Sequence, residues 1–148
     1  MAKFQTKTFN DVTPIVLPDT AKPEWVAVPI EFKATAYAQN DLIELCKLPI
    51  GYQCLDWALV FPDIDSGGSP ALASSLGTIN TAGDDISSEV WGSGLTAGQS
   101  TSIVRNTTSA AAQGDTTKER TVVLKITTVA ATYAGSGKVG HLLMLVQA

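Results

Sequence analysis

Two clean alternations of apolar and polar residues dominate the chain. Over residues 25–37, Val26, Val28, Ile30, Phe32, Ala34 and Ala36 fall on one side of an extended backbone, with Glu31, Lys33 and Thr35 on the other. That is the period-two signature of a strand with one dry face and one wet face. Residues 119–132 repeat it, setting Val122, Leu124 and Ile126 against Lys125 and Thr127. Residues 42–48 and 52–61 form two more apolar runs, the second with Leu55, Trp57, Leu59 and Phe61 on one face and Asp56 opposite. Residues 138–146 are apolar on both sides, which points to a central position in a sheet. Shorter strands are expected over residues 71–80 and 100–105. Residues 82–98 are rich in Gly, Ser, Thr and Asp, with Ile86, Val90 and Trp91 as the large apolar anchors. They read as a long, partly ordered loop containing one helical turn over residues 86–91. Residues 106–118 read as a polar loop.

Seven or eight strands without an amphipathic helix predict an all-β chain folded as a jelly-roll-like β-sandwich. Leu48-Pro49-Ile50-Gly51 supplies a Pro-x-Gly turn, which predicts a hairpin joining residues 42–48 to 52–61. Asp63, Asp65, Gly67 and Gly68 supply the next reversal. Pro14, Pro18 and Pro23 deny residues 1–24 a helix or a central strand. The expected organisation is an extended N-terminal arm over residues 1–24, followed by a single sandwich domain over residues 25–148.

Composition narrows the functional classes. With 148 residues, 45% hydrophobic and 16% charged, the chain is long enough for one self-supporting domain. Its start lacks the basic-then-apolar pattern of a secretion signal, and no apolar run reaches the length of a membrane helix. A soluble protein made in the cytoplasm, without membrane contact, is expected. The net charge is −4 and unevenly spread: six acids and no Lys or Arg lie between Leu48 and Val104, whereas five basic and two acidic residues follow from Arg105 onward. The acidic middle repels phosphate and the basic residues are scattered, which argues against direct nucleic-acid binding. Cys46 and Cys54 are equidistant from a turn centred on Ile50, so a cross-strand disulfide is geometrically open. A turn centred half a residue earlier breaks that pairing, and two buried thiols are the ordinary state in the cytoplasm.

The motif-like strings lack their chemistry. Residues 135–140, GSGKVG, match a dinucleotide-type glycine pattern, but a strand follows where a helix N-terminus is needed. Gly83-Asp84-Asp85 has no third acid to complete a metal site, and Asp63 and Asp65 lack the bidentate glutamate of a calcium loop. His141, the single histidine, sits in a strand and reads as a packed or interface residue. No catalytic group, cofactor site or metal site is expected, and the chain does not read as an enzyme.

Trp57 reads as core. Trp25, at the junction of arm and first strand, reads as an anchor for the arm. Trp91 reads either as an interface residue or as a plug that pins its loop. The order of features, with the alternating strand over residues 26–37, Asp41-Leu42-Ile43-Glu44-Leu45, the Leu48-Pro49-x-Gly51 turn, Leu55-Asp56 and Asp63-Ile64-Asp65-Ser66-Gly67, resembles capsid decoration, or cement, proteins of tailed bacteriophages. Leu76-Gly77, Trp91, Gly98 and residues 120–128 continue the resemblance. It implies a β-sandwich virion protein on the outside of an assembled head, with the major capsid protein as partner, stabilising the capsid. Assembly as a homo-oligomer, a dimer or trimer, fits the same picture. From their apolar character in a polar arm, Phe4, Phe9, Ile15, Val16 and Leu17 are the expected capsid or subunit contacts, with Trp25 and Trp91 beside them. The competing expectation is a receptor- or glycan-binding module of a phage fibre or tail, with residues 82–98 and 106–118 as its recognition loops.

Overall fold

The computed structural model describes residues 1–10, 17 and 22–148. These form two stacked β-sheets without an α-helix among the described residues. The strands are β1 (Lys3–Gln5), β2 (Glu24–Glu31), β3 (Leu42–Leu48), β4 (Gln53–Phe61), β5 (Ala73–Ile79), β6 (Ile86–Leu95), β7 (Ser102–Arg105), β8 (Arg120–Thr128) and β9 (Val139–Gln147). One sheet has the order β1-β3-β8-β5-β6 and the other β2-β9-β4-β7. Apart from the short parallel pair β1–β3, all neighbours are antiparallel. Eight strands divided four and four give the expected β-sandwich, with β1 added at one edge.

The alternations explain the core. Val26, Val28 and Ile30 of β2, Leu142, Met144 and Val146 of β9, and Trp57, Leu59 and Phe61 of β4 meet Ile43, Leu76, Val122, Leu124 and Ile126 of the opposing sheet, all buried. Close approach is required at Gly140, where a Cβ would lie 2.7 Å from the Phe61 ring. Phe61 in turn packs edge-on against Phe32, with centroids 5.1 Å apart.

The expected hairpin is not formed. β3 lies in the five-stranded sheet and β4 in the four-stranded one, so the Pro49–Gly51 turn carries the chain across the end of the sandwich. Gly51 makes the corner at φ 89°, and Tyr52 N–H closes it on Pro49 O at 3.2 Å. Each run finds its ladder elsewhere, β3 on β8 and β4 on β9, because period-two patterning states that a strand has a dry face but not which sheet supplies it.

Three boundaries also differ from expectation. β2 stops at Glu31, leaving Ala34 and Ala36 exposed before Tyr37 re-enters the core. Asp41 stabilises this excursion by accepting from Ala38 N–H and Ala2 N–H, both at 2.8 Å. The segment expected to be a loop with a helical turn is instead the ten-residue edge strand β6. Its register against β5 shifts three times, and pairing with β5 outweighs the weak strand preference of its Ser and Gly residues. Finally, Lys3–Gln5, within the proline-punctuated arm, adds β1 alongside β3.

Candidate functional site

The two outer faces of the sandwich differ in kind. On the five-stranded sheet, polar side chains pair with one another. Lys125 reaches Asp85 at 2.7 Å, Gln5 Nε2 donates to Glu44 Oε2 at 2.7 Å, and Lys3 stands 4.0 Å from Glu44. Beneath this cover Leu42 and Val123 have no exposed surface, and Glu44 only 6%.

On the four-stranded sheet the ion pair found among the described residues is Lys7 with Glu31 at 2.8 Å, at one end of the outer face. The register of this sheet places outward side chains in rows. Trp25, Leu145 and Asp56 form the first; Ala27, Leu143, Ala58 and Arg105 the second; Pro29, His141, Val60 and Ile103 the third; and Glu31 and Val139 the fourth. A bulge between Cys54 and Asp56 sets this phase for β4. Nine of these thirteen residues are apolar; Trp25, Ile103 and Val139 are 54%, 56% and 45% exposed, whereas Ala58 is buried at 3%. This largely apolar face is the candidate interaction surface.

A second feature is a cleft of roughly 640 Å³ at one end of the five-stranded sheet, lined by Thr78, Asn80, Ser87, Glu89, Gln113 and Arg120, among others. It brings together the two segments expected to form recognition loops. Arg120, 3% exposed, donates to Glu89 Oε1 at 2.9 Å and to Tyr52 O. No group of three or more His, Cys, Asp or Glu side chains suited to a metal occurs among the described residues.

The individual expectations separate. Trp57 is core, at 2% exposure. Trp91 is fully buried, and its indole N–H donates to Glu89 Oε1 at 3.0 Å. It is therefore a plug between the sheets, and the expectation of Trp91 as a contact for a neighbour is corrected, because β6 pairs with β5 and turns the ring inward. Trp25 lies on the candidate face. Phe4 packs edge-on against Tyr37 at 5.4 Å with Lys33 Nζ 3.9 Å over its ring. Phe9 lies under Lys47 Nζ at 5.1 Å, and Leu17 packs against the core. Ile15 and Val16 lie outside the described residues. His141 stands in the third row of the candidate face, half-buried.

Cys46 and Cys54 are both buried and free. Burial pushes both thiols up to about 12, and the nearby Cys54 adds to the effect on Cys46. The thiolate is the reactive form, so neither cysteine should react with a disulfide reagent in the native protein at pH 8. Both should react after denaturation, and rapid labelling of the native protein would contradict the packing described.

Sequence reasoning missed most of the candidate face. Leu143, Leu145, Val60 and Ile103 were legible as apolar, but their pairing into one surface depends on the registers of β9, β4 and β7.

Together the fold and the face define a small β-sandwich with one outer face covered by paired polar side chains and the other largely apolar among the described residues. Over nearly its whole length it is similar to a chain from the capsid of Ralstonia phage GP4, with 26% sequence identity, a TM-score of 0.84, and coverage of 98% of this chain and 97% of that one. A chain from the cyanophage Pam1 capsid asymmetric unit shares the fold at a TM-score of 0.67 and 18% identity, with 89% of each chain covered. No family model and no curated protein sequence matches.

Proposed function

We propose that the chain is a non-enzymatic structural virion protein that binds the outer surface of a phage head and stabilises the capsid through contacts bridging shell subunits. The observation that carries this reading is the end-to-end likeness to a chain of the Ralstonia phage GP4 capsid. The major capsid protein is the partner, and assembly of copies into a dimer or trimer on the head belongs to the same reading. So do contacts from the arm over residues 1–24, with Phe9 and the remaining surface of Phe4 and Leu17 available alongside Trp25. The test is co-sedimentation of the purified protein with heads assembled without it. Saturable binding, with heads that then resist heat or low salt better than bare ones, is the expected outcome. Folded protein left in the supernatant would remove the reading.

A second reading, a receptor- or glycan-binding module of a fibre or tail, draws on the hydroxyl- and amide-lined cleft. With Trp91 buried, a sugar there would be held by hydrogen bonds without the expected aromatic platform. Glycan binding that is lost in Asn80→Ala, by a protein that ignores heads, would favour this reading.

A further inference from the structure

We infer that the outer face of the four-stranded sheet is the surface that seats this chain on an assembled shell; the inference rests on the capsid reading above. Of the large apolar residues exposed on the molecule, Trp25, Ile103 and Val139 share this one face. The opposite sheet shows what the same fold does when water is its partner: it covers Leu42 and Val123 with paired charges. A contiguous apolar surface without such cover marks a contact with another molecule.

Area and charge decide between a second copy and a shell. Strand spacing and rise give the face roughly 400–500 Å², whereas a complex that stands alone in solution buries about 800 Å² on each partner. A dimer held by this face alone is therefore undersized. On a head, the same patch acts together with the protein's other contacts, which raises its effective strength. Two copies, each carrying a net charge of −4, also repel one another. The charged residues in the rows of the face and at its edge are Glu24 and Glu31 at the two ends of β2, Asp56 in the first row and Arg105 in the second. Glu31 shares its charge with Lys7 at 2.8 Å. The surface that fits is apolar at its centre, with cationic groups opposite Glu24 and Asp56.

The test uses full-length variants in the head co-sedimentation assay, with sedimentation velocity giving their mass in solution. Leu143→Lys puts a charge at the centre of the face and should weaken head binding at least about tenfold, since a docked, unpaired ammonium is costly. Trp25→Ala and Glu24→Lys, both at exposed positions, should weaken it severalfold and keep the test valid if Leu143→Lys folds poorly. Val90→Lys, on the other outer face, should bind like the wild type. If the wild type binds and the folded face variants bind equally well, the face is not the seat, although the capsid reading stands. A wild type that ignores heads removes both. A wild-type dimer that Leu143→Lys dissociates without loss of head binding would assign the face to a second copy and overturn the inference.

Discussion

Replacing Asp65 with Ala is expected to lower the unfolding free energy by about 3–5 kcal/mol, the cost of removing one partner from a buried, charge-assisted hydrogen-bond network. Asp65 has no exposed surface. Its Oδ2 accepts from Ala71 N–H at 2.7 Å and Leu72 N–H at 2.9 Å, and its Oδ1 accepts from Thr132 N–H at 2.8 Å. One carboxylate thereby ties the connection into β5 to the connection between β8 and β9. Without it, buried backbone donors lose their acceptor. Burial alone would raise the pKa of this group, but hydrogen bonds from the backbone at Thr132, Leu72, Ala71 and Ala131 outweigh it and hold the carboxyl well below the usual carboxylate range. A group whose folded value is depressed contributes stability above its unfolded value, near pH 4, and loses that contribution as pH falls toward the folded value. The wild type should therefore lose stability on acidification below about pH 4. Asp65→Asn, less stable at neutral pH, should show a flatter acid limb. Denaturant unfolding between pH 2 and 7 measures both effects. Parallel curves for the two proteins would show that Asp65 is not the group responsible.

Trp91→Ala should cost about 3–5 kcal/mol, the usual penalty for emptying a buried indole site. In a chain of this size that corresponds to a fall in Tm of roughly 10 °C or more. The ring is fully buried, and its neighbour Gly92 is confined by Trp57, whose Cζ2 would lie 2.9 Å from an added Cβ. The two indoles thus sit in the same part of the core. Glu89 also pairs with Arg120 at 2.9 Å, so the expected loss is one of volume more than of charge balance. Trp91→Phe should recover much of the stability. A Trp91→Ala variant within 1 kcal/mol of the wild type would contradict the described core, whereas a glycan platform would leave stability intact and affect binding alone.

The strands were legible where one pattern was enough to define them. Val26, Val28 and Ile30, and Val122, Leu124 and Ile126, read as dry faces and are buried. The central place of β9 also followed from its residues, and it lies between β2 and β4. The apolar outer side of that strand had two physical meanings, a covering layer or a surface awaiting a partner. A two-layer sandwich leaves it bare among the described residues, and only the paired registers show this. β6 was hidden because its Ser and Gly residues carry little strand preference, and Trp91, the one strong signal there, does not tell inward from outward. The Pro49–Gly51 corner was visible as a turn. That it bridges sheets depends on β8 and β9, strands far away in sequence. In each case the missing information was long-range pairing, which local periodicity does not encode.

Such pairing also governs when the docking face can exist during synthesis. β2 pairs with β9 along its whole length, Glu24 meeting Val146 and Glu31 meeting Val139. As the ribosome delivers the chain, residues 24–31 wait for residues 139–147 before their ladder can close, and such long-range closures are slow. Until then β2 and β4 lack the strand that joins them, and Trp25, Leu143 and Val60 do not belong to one surface. A chain interrupted before residue 139 cannot form this face, so on the proposed reading an assembled head takes up only copies in which translation has passed that point.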